Sequence, residues 1–127
     1  MSDTVVLTPR VAATLDVLAA EIELAGARCI FLDQIIGDVM DRLADADRER
    51  MLQGLHDVDL LSQHLTSLSA FARGMSLVIP AEVTAPVGSA LSEITLGALA
   101  ERMVAGLGGD DDDEAAEAPD AGDLDLF

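Results

Sequence analysis

The sequence has no lysine, tryptophan or tyrosine, and its 127 residues include only three phenylalanines, two histidines and one cysteine. These gaps exclude several classes of function. Seven arginines against 24 acidic residues leave a formal charge of −17, which repels a phosphate backbone, so nucleic-acid binding is excluded. One cysteine, Cys29, cannot close an internal disulfide or supply a cysteine metal cluster, and His56 and His64 lack a flanking ligand pattern, so no metal site is expected. A glycine-rich phosphate loop and a serine nucleophile elbow are also missing, which removes nucleotide-binding and hydrolase-triad readings. No uncharged apolar run approaches the roughly 20 residues of a membrane-spanning helix. The opening MSDTVVLTPR lacks the basic-then-apolar run of a signal peptide, so a cytoplasmic protein is expected. Half the residues are hydrophobic with hardly any aromatics, so the core must come from Leu, Ile, Val, Ala and Met, a composition that favours helix packed on helix.

What is present is unevenly distributed. Residues 1–109 hold 15 acidic and seven basic residues (−8), whereas 110–127 hold nine acidic residues and no basic ones (−9). The sequence therefore divides into a helical body over 1–107, an acidic flexible linker over 108–122 that repels itself and has little to bury, and an apolar peptide over 123–127. In the body, Val11, Leu15, Leu18, Ile22, Ala25, Cys29, Leu32, Ile36, Val39 and Leu43 recur at spacings of four and three, the pattern of a coiled-coil seam. With Thr8 as N-cap and Pro9 in the first turn, this predicts a helix over 9–44. Met51, Leu55, Val58, Leu61, Leu65, Leu68, Ala72 and Met75 predict a second helix over 47–76. The short connection makes the two an antiparallel hairpin. Pro80 and Pro86 interrupt the chain, and Leu91, Ile94, Leu96, Leu99 and Met103 predict a short third helix over 89–106. Ile30, Phe31, Ile35 and Met40 lie beside the first seam, leaving more apolar surface than one hairpin covers. The expected fold is all-α: a long hairpin with a short third helix, two copies of which complete a four-helix bundle.

Few residues offer chemistry. Counting about 100° per residue from Val58, Asp59 lies at about 100° and Gln63 at about 140°, off the apolar stripe and on adjacent turns, with their Cβ atoms roughly 5–6 Å apart. An acid and an amide so placed can orient a water, as the glutamine of a GTPase does for phosphoryl transfer.

Asp59-Leu60-Leu61-Ser62-Gln63 resembles the Asp-Leu-x-small-Gln signature of the CheZ chemotaxis phosphatases, which lies on the second arm of a long hairpin in a dimeric four-helix bundle. Leu55-His56-Asp57-Val58 stands where that family has Gln-Asp-Phe-Gln. The terminal Asp123-Leu124-Asp125-Leu126-Phe127 is similar to the apolar peptide, ending in Phe, by which such proteins dock on the response regulator CheY. In size the chain resembles the small α-proteobacterial CheT-type proteins. The resemblance implies that Gln63 holds a water in line with the aspartyl phosphate of the regulator, and that Asp59 pairs with the regulator's active-site lysine. It also implies that Asp123, Leu124, Asp125, Leu126 and Phe127 bind the partner. Magnesium would sit in the regulator, and no cofactor would sit on this chain.

Other readings compete. His56-Asp57 looks like the opening of a histidine kinase dimerisation helix or a phosphotransfer protein, but families combining it with a phosphatase amide place Gln four residues after the Asp, where this chain has Leu61. The terminal peptide also resembles sliding-clamp ligands, with Asp123 in place of their first Gln, and an adaptor that binds a receiver domain without catalysis remains an alternative.

Overall fold

A computed structural model describes residues 7–108. The expected docking residues Asp123, Leu124, Asp125, Leu126 and Phe127, and all but the first residue of the expected linker, lie outside the described residues. Four helices are present, α1 (Val11–Met40), α2 (Asp45–Val78), α3 (Gly88–Leu91) and α4 (Gly97–Gly108), with no strand among the described residues. The all-helical expectation therefore holds, with two long helices packed against each other. The described residues divide into two compact units: Leu18–Gly74, and 7–17 together with 75–108.

The first unit is the hairpin. Its inward residues repeat in sevens: Ala19, Gly26, Asp33 and Met40 in one column of α1, and Ile22, Cys29 and Ile36 in the next. On α2 the columns are Met51, Val58, Leu65 and Ala72, and Leu55, Ser62 and Ser69. This confirms Ile22, Cys29, Ile36, Met51, Leu55, Val58, Leu65 and Ala72 as seam residues. It corrects the placement of Leu18, Leu32, Val39, Leu61 and Leu68, which are between 38% and 53% exposed. The packing face is turned by one column toward small side chains. Gly26 brings the arms close enough that a Cβ there would meet Leu65 Cβ at 3.9 Å. Ser69 can be buried because its hydroxyl donates to its own helix at Thr66 O, 3.1 Å away. A count of apolar residues overlooks both effects, because small and self-satisfied side chains admit closer packing than leucines do.

The hairpin turns over 41–44, so α1 ends at Met40 rather than 44. The Arg42 and Leu43 amides donate to Val39 O and Met40 O, tightening the last turn. Arg48 Nε donates to Met40 O at 3.3 Å and places a cation at the carbonyl end of α1. The Arg48 amide bonds Ala44 O, so α2 opens at Asp45, two residues earlier than expected, and runs on to Val78.

One seam position carries a carboxylate. Asp33 Oδ1 is buried and has no hydrogen-bond partner among the described residues. Removing a buried acceptor left without a donor is stabilising when an apolar side chain takes its place. Asp33→Leu is therefore expected to raise the unfolding free energy by about 1–2 kcal/mol in urea titration. A loss of stability would show that the carboxylate is satisfied in the assembled protein.

In the second unit, residues 7–10 lie extended beside 83–87. Val11 N–H donates to Val83 O (2.9 Å), Ala85 N–H to Pro9 O (3.2 Å) and Val87 N–H to Leu7 O (3.1 Å), around an antiparallel bridge between Arg10 and Thr84. These bonds hold Thr8 and Pro9 outside α1, which starts at Val11 with the Arg10 carbonyl as its first acceptor, so Thr8 is not the cap. The expected single helix over 89–106 is two helices. The Ser92 hydroxyl donates to Ser89 O at 2.7 Å, competing with helix continuation, and the chain turns before α4 begins at Gly97. Met103 and Leu107 of α4 are buried, as are Ala12 and Val87. A Cβ on Gly106 would come within 3.1 Å of Val17 Cγ2, so glycine sets how closely α4 lies to α1.

Candidate functional site: the polar side of the hairpin

The seam sorts the remaining residues of the hairpin onto two sides. Leu18, Leu32 and Val39 lie about 60–100° to one rotational side of the α1 seam, and Leu61 and Leu68 lie similarly to the same side of the α2 seam. Because the arms run in opposite directions, equal rotational offsets bring both rows to one side of the hairpin. Glu23 and Arg73 are offset the other way, and they meet: Arg73 donates through Nε and Nη2 to Glu23 Oε2 and Oε1, each at 2.8 Å. Asp59 is offset from its seam in the same sense as Arg73, by about 80°, and Gln63 by about 130°. Asp59 and Gln63 therefore share the Glu23–Arg73 side, away from Leu18, Leu32, Leu61 and Leu68, together with the exposed Ile30 and Leu52.

Both side chains are exposed and make no hydrogen bond or ion pair with another described residue. Being four apart on a helix, they stand on adjacent turns as the spacing predicted, roughly 5–6 Å apart at Cβ. The helix fixes the two backbones relative to each other and leaves the carboxylate and amide open to a partner. A water held between them would be ordered only when a second molecule closes over this side.

The bidentate hydrogen bond from Arg73 holds the Glu23 carboxyl below its usual range. A carboxylate lowered in this way supports the fold above its ordinary pKa, and the support is lost as pH falls through the lowered value. Glu23 is fully exposed, so this pair orients the arms more than it stabilises them.

The other candidates are dispersed. His56 and His64 are exposed on α2, and Cys29 is a half-buried thiol in the seam, the packed position expected for it. No group of three His, Cys, Asp or Glu among the described residues could hold a metal ion. No described helix is long and apolar enough to cross a membrane. A shallow hollow lined by Leu43, Asp47, Arg50 and Met51 lies at the hairpin turn, about 12 Å along α2 from Asp59 at 1.5 Å per residue. Sequence periodicity missed one residue of consequence, Asp33, because the apolar count set the seam one column away.

The fold defines an all-helical protein built on a long antiparallel hairpin, with a polar side that carries an exposed acid–amide pair. The chain belongs to the family described as a domain of unknown function, DUF8776, whose model matches residues 6–127. Comparison with curated proteins and with solved structures finds no match.

Proposed function

We propose that this protein is a CheZ-like phosphatase that stimulates loss of the aspartyl phosphate from a CheY-type response regulator. The observation that carries the proposal is the exposed Asp59-x-x-x-Gln63 pair on the second arm of a long helical hairpin, on the side that carries the Glu23–Arg73 pair. The amide of Gln63 donates and accepts without changing charge, so it can hold a water in line with a phosphoryl group, while Asp59 pairs with a lysine of the regulator and fixes the approach. Magnesium belongs to the regulator's site, and this chain adds no cofactor.

The reading includes a homodimer. The leucine side is one continuous apolar strip contributed by both arms, and a second copy related by a two-fold axis presents the same strip. Four helices then enclose Leu18, Leu32, Val39, Leu61 and Leu68, and Asp59 and Gln63 stay on the outer side. Phosphate release from a panel of phosphorylated receiver domains, with and without this protein, tests the proposal. Acceleration for at least one receiver is expected. No acceleration for any receiver, or acid-labile phosphate accumulating on His56, overturns it in favour of an adaptor or a phosphotransfer protein.

The terminal peptide supplies a second contact in this proposal. Leu124, Leu126 and Phe127 would bury apolar surface on the regulator, and the acidic chain before them would hold the bound regulator near Gln63 at an effective concentration of about a millimolar. Deleting residues 123–127 is expected to raise the regulator concentration for half-maximal activity about tenfold, with turnover at saturation and helicity unchanged. Unchanged steady-state kinetics would assign the peptide to another partner.

A further inference from the structure

We infer that Ile30 and Leu52, one from each arm of the hairpin, form an apolar docking surface beside Asp59, and that the partner it fits presents a cation bordered by apolar side chains. The inference rests on the phosphatase reading for the identity of that partner, a receiver domain. Both residues lie on the polar side. Ile30 is one heptad along α1 from Glu23, and Leu52 is one heptad back along α2 from Asp59, so each shares the rotational position of a residue on the side where Glu23 meets Arg73. Their levels follow from the close approach of the arms at Gly26, where an added Cβ would lie 3.9 Å from Leu65 Cβ. Counting in opposite directions from that contact sets Asp59 level with position 32, so Ile30 on the facing arm is within about 3 Å of that level, at 1.5 Å per residue. Leu52 lies about 10 Å along α2 from Asp59 toward the turn, and Gln63 about 6 Å the other way.

The hairpin leaves both side chains uncovered. Ile30 is 54% exposed and Leu52 52%, because the seam between the arms runs through Cys29, Asp33, Leu55 and Val58 instead. A dimer formed through Leu18, Leu32, Leu61 and Leu68 would also leave them uncovered, since those residues lie on the other side. A second copy seated on the polar side would bring another unpaired Asp59 into the contact, whereas a partner carrying a cation would neutralise the first. A carboxylate that stays in water attracts a cation only weakly. Aliphatic side chains beside it change the balance. When a partner closes over Ile30 and Leu52, the ion pair leaves water and its attraction strengthens, and the buried apolar area adds binding that a carboxylate and an amide do not supply. Affinity for the partner therefore rests on Ile30 and Leu52, and turnover on Gln63.

The test measures affinity of the full-length protein for a beryllofluoride-charged receiver that it dephosphorylates, together with steady-state phosphate release. Ile30→Ala combined with Leu52→Ala is expected to weaken binding about thirtyfold and to raise KM by a similar factor, with kcat within about twofold of wild type. The loss should be equal at low and high salt, whereas the loss in Asp59→Ala narrows as salt rises. Ile30→Leu combined with Leu52→Met keeps the apolar surface and is expected to bind within about twofold of wild type. Circular dichroism and light scattering on the double-alanine variant should match wild type. If that variant loses helicity, Leu52→Gln alone gives the same readout, with binding weakened about fivefold. Wild-type affinity in the variants that fold, a loss confined to kcat, or a change of oligomeric state overturns the docking surface and leaves the phosphatase reading standing. A wild-type protein that neither binds nor dephosphorylates any receiver overturns both.

Discussion

Gln63→Ala is expected to lower stimulated dephosphorylation at saturating regulator by about a hundredfold or more, while the affinity for the beryllofluoride-charged regulator changes less than about twofold. The separation follows from exposure. Gln63 makes no contact within the described chain, so its removal costs the fold nothing, and one amide at the rim of a docking surface adds little to binding. Its contribution appears only when a water must be held in line with a phosphorus atom. Asp59→Ala is expected to behave differently: in the proposed mechanism the carboxylate both pairs with the partner's cation and fixes the approach, so affinity and turnover should fall together. Equal turnover in wild type and Gln63→Ala would leave the pair as a solvated helix face.

Leu61→Glu combined with Leu68→Glu is expected to convert the proposed dimer to a particle of 13.3 kDa in light scattering at micromolar concentration. Both leucines lie on the side opposite Asp59 and Gln63, about half exposed in the isolated hairpin, and a second copy would bury them. Two unpartnered carboxylates per protomer in such an interface oppose association strongly, by about a hundredfold or more in the dimer dissociation constant. Helicity should persist, since the intrachain seam uses Val58, Ser62, Leu65 and Ser69 instead. A wild-type protein already monomeric at these concentrations would give the leucine side to another partner.

The existence of the two long helices, their hairpin connection and the exposure of Asp59 and Gln63 were all legible in the sequence. A heptad pattern sustained over four repeats specifies an amphipathic helix whatever packs against it, and an offset of about 100° from that stripe places a residue off it. The choice among adjacent apolar columns was not legible. Leu18, Leu32, Leu61 and Leu68 are more hydrophobic than Ala19, Gly26, Ser62 and Ser69, which pack inside instead, and only the approach of two backbones at Gly26 and the self-bonded hydroxyl of Ser69 decides which column goes inside. Asp33 was overlooked for the same reason.

The start of α1 and the break between α3 and α4 were tertiary decisions as well. Thr8-Pro9 has the local chemistry of a helix start, but the Pro9 carbonyl bonds to Ala85 N–H, a partner 76 residues away in sequence, as 85 minus 9 gives. Periodicity therefore determined which segments are helices and which side chains face outward, because those depend on neighbours within a turn or two. Only the folded hairpin decided which outward residues share a side: Asp59 and Gln63 fall on the side where Glu23 meets Arg73, and Leu18, Leu32, Leu61 and Leu68 on the other, because register depends on how two distant segments fit rather than on either segment alone.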